Sequence, residues 1–345
     1  MIQHYDGLKV LSYNGIYTMV VTNRNHGKTW CFKKRSFRRG QKHGKKTLWL
    51  RTFKKEVKEA CNSFYTSADL QKFCGIIPYD KETKKGNFKQ IGNTFYVKRG
   101  KQWVWCLKIS ALSDANSVRS ADDVDLDTIV YDEFTTTSRR FKCYRGNLVD
   151  DFIDIFFSMK REHEVRCFML GNKENVLNPF LTYFNVKPLP STFEGIKQYR
   201  EGSLIIQQIN NKPVEQTNYD KKLKALLKGT SYGNYIYEDA YKGTKNFKRC
   251  KPPANAQEYI QLDIDGFTIK IWVANDLYFV TSKIDVKRRV YTLDVLHKYA
   301  HENLLLRRQK KYFIAFENAI ADGRVAYENQ IVYEAIQPFY KWLSI

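Results

Sequence analysis

A two-domain α/β protein whose first domain carries a central, mainly parallel sheet is the fold this sequence predicts, and three observations predict it. Short apolar runs rich in β-branched residues alternate with segments of helical spacing through the first half. Residues 259–263, 267–273 and 277–281 instead alternate apolar and polar positions between Asp-Gly and Ala-Asn-Asp turns, a separate antiparallel architecture. A chain of 345 residues also exceeds what one core usually supports.

Along the first half, residues 17–21 (YTMVV) read as a strand, and residues 30–39 as a helix. Residues 47–53 (TLWLRTF) read as a second strand, and residues 93–99 and 102–109 around Gly100 as an accessory hairpin beside the sheet. Two further buried-type strands, 126–131 (LDTIVY) and 165–170 (VRCFML), flank an amphipathic helix carrying Leu148, Phe152, Ile155 and Phe156. The pattern breaks at Pro188 and Pro190, and a Lys- and Tyr-rich stretch with a helical patch at 223–227 runs to about residue 256. A helical run over 293–308 follows the three alternating strands. The expected boundaries are 1–190 for the first domain, 191–256 for a linker or lid, and 257–345 for the second domain.

Composition narrows the partners. Hydrophobic residues make up 43% of the chain, enough for packed cores. Lys plus Arg number 58 against 36 Asp plus Glu, and the surplus of +22 favours a polyanion, nucleic acid before anionic membrane. The seven cysteines form no C-x-x-C pair, which argues against a disulfide framework or a zinc site. No apolar run approaches a membrane span and the N-terminus lacks a signal-peptide pattern, so a cytoplasmic protein without a membrane partner is expected.

Residues 22–29 (TNRNHGKT) stand between the first strand and the first helix and fit x-x-x-x-x-G-K-[ST], whose backbone N–H groups cradle phosphates. In this reading Thr22, Asn23, Arg24, Asn25, His26 and Gly27 wrap the phosphates of ATP. Lys28 reaches the β- and γ-phosphates, and Thr29 holds Mg²⁺. Thr22 replaces the usual first glycine, so a basic surface loop is the alternative for this segment taken alone.

Asp132 and Glu133 end the apolar run TIVYDE, where Asp132 is placed to hold the metal and Glu133 to polarise an attacking water. By itself such a pair is more simply a solvated strand end. Asn172 follows CFMLG and reaches the γ-phosphate if its strand neighbours that of Asp132; otherwise it belongs to a Gly-Asn turn. The three signals reinforce one another because each ends a predicted parallel strand, the edge at which ligands bind. Arg139, Arg140, Arg145 and Arg161 lie between the acidic pair and Asn172, and one of them could serve a neighbouring subunit's site. The basic cluster from Lys33 to Lys58, including Arg35, Arg38, Arg39, Arg51 and Lys54, could track phosphates. Asp263 and Asp265, with Asp285 or Asp294, are the candidate ligands of a nuclease metal, although Asp265-Gly266 is more simply a hairpin turn.

The order of NRNHGKT, LWLRTFKKE, IVYDEF, VRCFMLGN and NPFLTYFNV over about residues 15 to 186 resembles the large terminases of tailed phages, and most closely the packaging ATPases of phi-29-like podoviruses. The resemblance implies an ASCE-type P-loop ATPase domain followed by a smaller α+β RNase H-like domain that has lost nuclease activity. It implies Lys28 and Thr29 as nucleotide and Mg²⁺ ligands, Asp132 and Glu133 as the Walker B pair, and Asn172 as the γ-phosphate sensor. Arg161 is the first choice for the trans-acting arginine, with Arg145 and Arg140 as alternatives. It further implies a homopentameric ring at the portal of a procapsid in the host cytoplasm, moving double-stranded DNA, with a packaging RNA as a further partner. Readings that stay open are another ASCE DNA-translocating ATPase or helicase, a motor with an active C-terminal nuclease, and a basic nucleic-acid-binding protein without enzymatic activity.

Overall fold

The computed structural model describes residues 5–22, 27–65, 77–115, 118, 125–135, 144, 147–161, 164–173, 178–186, 188–190, 193–210, 218–228, 230, 249–264, 266–282, 285, 287–293, 302–305 and 307–344. The chain divides into two compact units, residues 1–175 with 190–242 and residues 176–189 with 243–345.

The first unit is built on a nine-stranded sheet. Its strands are β1 (Tyr17–Thr22), β2 (Lys46–Arg51), β3 (Phe88–Ile91), β4 (Thr94–Arg99), β5 (Gln102–Ala111), β6 (Leu126–Asp132), β7 (Arg166–Asn172), β8 (Gly195–Tyr199) and β9 (Leu204–Ile209). They lie in the order β3-β4-β5-β2-β6-β7-β1-β9-β8, and the six from β5 to β9 are mutually parallel. Burial is nearly continuous along β6 and β7, as a strand covered on both faces requires. Insertion of β7 between β1 and β6 is the arrangement that defines an ASCE-type sheet.

Four helices described in this unit before β8 are α1 (Leu8–Ser12), α2 (Lys28–His43), α3 (Lys54–Ser63) and α4 (Leu148–Lys160). Phe32 and Phe37 of α2 and Phe64 after α3 enter one core with Trp49, Phe95, Val130, Phe168 and Ile205. Asn147 caps α4 by accepting from the backbone N–H of Val149 (3.1 Å) and Asp150 (3.3 Å). Phe156 of α4 packs on Tyr17 at 4.7 Å and Phe152 on Tyr131 at 5.4 Å between ring centroids.

Three expectations from the sequence need correction. The hairpin at 93–109 is part of the sheet, because β5 pairs in parallel with β2 from Thr47↔Leu107 to Arg51↔Ala111. The segment 191–256 is not a linker throughout, since β8 and β9 complete the first sheet and β9 pairs with β1 along its whole length. The helical run expected over 293–308 does not hold at Glu302–Leu304, which is a strand; residues 294–301 and 306 lie outside the described residues.

In the second unit, β10 (Gln257–Ile264), β11 (Phe267–Ala274) and β12 (Leu277–Thr281) form an antiparallel meander. Strand β13 (Val290–Thr292) runs parallel to β10, β14 (Glu302–Leu304) parallel to β13, and β15 (Val325–Tyr327) parallel to β12. A meander whose first strand continues into parallel neighbours is the arrangement of an RNase H-like sheet. Phe316, Val332, Ile336 and Phe339 cover it and close a core with Leu262, Ile269, Ile271 and Val280.

Gly40 lies inside α2, where an alanine normally stabilises a helix by about 1 kcal/mol. Here a Cβ would come 2.2 Å from Cys106 Cβ and 3.2 Å from its Cα, at the point where β5 bulges toward the helix. Gly40→Ala is expected to lower the unfolding free energy by about 1–3 kcal/mol, the range for overpacking, when measured by urea denaturation.

Candidate active site

The C-terminal ends of β1, β7 and β6 bring Thr22, Asn172 and Asp132 to one edge of the sheet, with Thr22 directly opposite Asn172 in the ladder. Gly27 adopts φ +77°, a left-handed turn that glycine makes without strain and that launches α2 at Lys28. The Gly27 carbonyl accepts from the Cys31 N–H at 2.9 Å, so the helix ladder begins there. The first turn of α2 holds no acidic side chain, which leaves the positive end of the helix dipole to an incoming anion.

Lys28 is buried, and its Nζ donates to Asn172 Oδ1 at 2.6 Å and to Thr22 Oγ1 at 3.2 Å. Thr22, at the place of the missing glycine, thus supplies an acceptor for the lysine. Thr29 Oγ1 donates to Asp132 Oδ1 at 3.2 Å. Asp132 is 2% exposed, and such a carboxylate demands a compensating partner. Arg51, the last residue of β2, provides it: Nη2 lies 3.1 Å from Asp132 Oδ2, and Nη1 lies 3.1 Å from Glu133 Oε2. Burial works against the Arg51 charge, but Asp132 and then Glu133 outweigh it and hold its pKa above the ordinary value. Glu133 is the exposed member of this group, its side chain half accessible and its backbone at φ +61°.

The strand end beside Asn172 is clamped from above. The Phe134 N–H donates to the Leu170 carbonyl at 3.2 Å, and the Asn172 N–H donates to Thr135 Oγ1 at 2.7 Å. That crossing needs Gly171, because a Cβ there would stand 2.4 Å from Thr135 Oγ1 and 2.7 Å from the Phe134 ring. Lys173, fully buried, gives its N–H to the Thr22 carbonyl at 3.1 Å and its ammonium to Asn210 Oδ1 at the end of β9.

The structure therefore brings together Thr22, Gly27, Lys28, Thr29, Asp132, Glu133 and Asn172. Asn23, Arg24, Asn25 and His26 lie outside the described residues, as do Arg139, Arg140 and Arg145. Arg161 caps the C-terminus of α4 at φ +36°, its Nε 3.3 Å from the Ser158 carbonyl. Because α4 returns from the end of β6 to the start of β7, Arg161 stands at the opposite sheet edge from Lys28 and Asn172. Asp263 accepts from the Gly266 N–H (2.9 Å) and Thr268 Oγ1 (3.3 Å), and Asp285 is held by Gln261; Asp265 and Asp294 lie outside the described residues.

Sequence reasoning missed Arg51, Thr135 and Lys173 as members of the site. Arg51 was visible only as one of many basic residues; its place at the end of a predicted parallel strand was the available signal. The donor set fits a nucleotide triphosphate with a divalent cation: an ammonium, a helix N-terminus and an amide for phosphate oxygens, a hydroxyl and a carboxylate for the metal.

The profile of the podovirus DNA encapsidation protein (Gp16) family matches residues 2–343. The chain belongs to that family. Among curated relatives it is 25% identical to the DNA packaging protein of Bacillus phage B103 over 329 residues, covering 94% of this chain and 96% of that one. It is 24% identical to the DNA packaging protein of Bacillus phage phi29, covering 95% of this chain and 94% of the relative. Its fold follows the chain of the bacteriophage Phi-29 viral genome packaging motor assembly, with a TM-score of 0.71 at 21% identity over 99% of both chains. The Phi-28 gp11 DNA packaging motor superposes with a TM-score of 0.62 at 17% identity over 100% of this chain and 99% of that one. The likeness to both of these structures extends over the two units of the fold, not the first alone.

Removing one partner of a buried ion pair costs about 3–5 kcal/mol. Arg51→Gln, which strands Asp132, is expected to lower the unfolding free energy by about 3 kcal/mol or more, whereas Glu133→Gln, at a half-exposed carboxylate, should change it by less than about 1 kcal/mol. Urea denaturation of the two variants checks the order; equal losses would contradict the asymmetry.

Proposed function

We propose that this chain is the ATPase of a viral genome-packaging motor, hydrolysing ATP to drive double-stranded DNA through a portal into a procapsid. The observation that carries the reading is the convergence of Lys28, Thr29, Asp132 and Asn172 at one edge of an ASCE-type sheet, in a chain of the DNA encapsidation family.

In this reading residues 22–27 wrap the phosphates and Lys28 exchanges its contacts with Thr22 and Asn172 for phosphate oxygens. The Asn172 amide, freed by that exchange, reports on the γ-phosphate. Thr29 and Asp132 hold Mg²⁺, which supplies charge neutralisation at the phosphates when bound. Glu133 orients the attacking water and takes its proton; to do so its carboxylate leaves Arg51, a movement that its exposed position permits. Arg161, remote from its own subunit's site, serves as the trans-acting arginine of a neighbour in a homopentameric ring. The motor works in the host cytoplasm at the portal vertex, with a packaging RNA as a further partner. In the same reading the second unit acts without nuclease activity, and its Asp263 holds the turn after β10 through Gly266 and Thr268.

ATP turnover by the purified chain, with and without double-stranded DNA, tests the reading. Glu133→Gln is expected to retain nucleotide affinity and lose turnover by about 10²-fold or more, while Lys28→Ala loses nucleotide binding itself. Turnover indifferent to Glu133 would sink the assignment. Mixing Arg161→Ala subunits with Lys28→Ala subunits is expected to restore part of the activity that each lacks, because the first keeps its P-loop and the second supplies the arginine. No recovery in the mixture would remove Arg161 from the trans role.

A further inference from the structure

Three arginines meet at the sheet edge away from Lys28 and Asn172. Arg35 and Arg39 lie one turn apart on α2, and Arg166 opens β7. The Arg35 and Arg166 guanidinium carbons stand 5.3 Å and 5.2 Å from the centroid of the same Phe168 ring. Arg39 pairs with Asp127, the second residue of β6. Arg35 Nη1 donates to Thr128 Oγ1 at 3.3 Å, and that hydroxyl donates to Asp127 Oδ1 at 2.8 Å. Arg166 gives Nε to the Gly15 carbonyl (3.3 Å) and Nη2 to the Leu11 carbonyl (3.1 Å).

Asp127 is the one anionic partner of these three guanidiniums among the described residues, so three positive charges against one negative leave a surplus of two. Water does not offset it freely. Burial, and after it the charge of Arg39, pushes the Arg35 pKa down to about 10, and the same two causes lower Arg166. Arg39 Nε is closed off from solvent, while the Arg39 side chain as a whole is 34% exposed, so an anion would meet its outer guanidinium edge. A half-buried surplus of positive charge with one exposed guanidinium is the chemistry of an anion site.

We propose that Arg35, Arg39 and Arg166 form a phosphate-binding site at the edge of the sheet opposite the ATP site. Phosphate fits these groups because several guanidinium forks can share its acceptor oxygens; a free phosphate's charge of about two answers the whole surplus, and a backbone phosphodiester's single charge answers half of it. The same chemistry comes from a free phosphate or nucleotide and from the phosphodiester backbone of DNA.

The experiment compares melting temperatures of the full chain in sodium phosphate and in sodium chloride of equal ionic strength, in a Lys28→Ala background that removes the phosphate affinity of the P-loop. Phosphate is expected to raise the melting temperature by several degrees, and Arg35→Gln and Arg39→Gln are each expected to lose that rise. Arg35→Gln leaves the Arg39–Asp127 pair intact and relieves the surplus, so its melting temperature in chloride should not fall. Affinity for double-stranded DNA is then measured against salt: a slope reduced by about 1 in Arg35→Gln identifies a backbone phosphate as the occupant, and an unchanged slope identifies a free phosphate. The proposal is overturned if phosphate gives no rise beyond chloride, or if the rise survives in both arginine variants. Because Lys28→Ala abolishes the ATP site, the result stands apart from the fate of the ATPase reading.

Discussion

Parallel pairing of β7 between β1 and β6 is the constraint on which the rest of the first unit depends. Its register sets Thr22 against Asn172 and Asp132 against Leu170, so three strand ends finish within two residues of one another. Lys28 and Asp132 are buried there and must find their complements locally. Lys28 takes the Asn172 and Thr22 oxygens, and Asp132 takes Arg51 and Thr29. A shift of one residue in β7 would send Asn172 to the other face of the pleat and leave Lys28 buried without its closest acceptor. Gly171 belongs to the same constraint, because only a residue without Cβ lets Phe134 and Thr135 cross the strand end so closely.

Helix α2 ties this edge to the opposite one. It begins at Lys28 and carries Arg35 at its middle and Arg39 in its second half, over a length of about 24 Å for 16 residues. Phe32 and Phe37 root it in the core between the two charged ends, with Phe32 on Phe168 at 4.8 Å. On the two proposed readings, nucleotide at the first edge and polyanion at the second would act on the same helix.

Much of this was legible in the amino-acid sequence, for identifiable reasons. Strands β1, β2, β6 and β7 announce themselves because strands buried on both faces need unbroken apolar runs. The P-loop, Asp132 and Asn172 stand where those runs stop. Strand β9 was hidden because two glutamines interrupt its apolar run, although both are buried and satisfied: Gln207 accepts from the Tyr5 hydroxyl at 2.7 Å, and Gln208 donates to the carbonyls of Pro190 (2.7 Å) and Phe193 (2.8 Å). Strand β14 spans only Glu302–Leu304, too few residues to show a period. Arg51 was illegible as a site residue because its partners lie some eighty positions away and meet it only through the order of strands in the sheet. Arg35 and Arg39 stand in the sequence only as members of a basic cluster, because Arg166 meets them through the fold alone.

The most direct measurement is a structure of the chain with a non-hydrolysable ATP analogue and Mg²⁺. An ATP site at this edge would place the terminal phosphate within hydrogen-bond reach of Lys28 and Asn172 and the metal between Thr29 and Asp132, with the Lys28–Asn172 contact opened. A nucleotide bound elsewhere, with the Lys28–Asn172 bond intact, would contradict it.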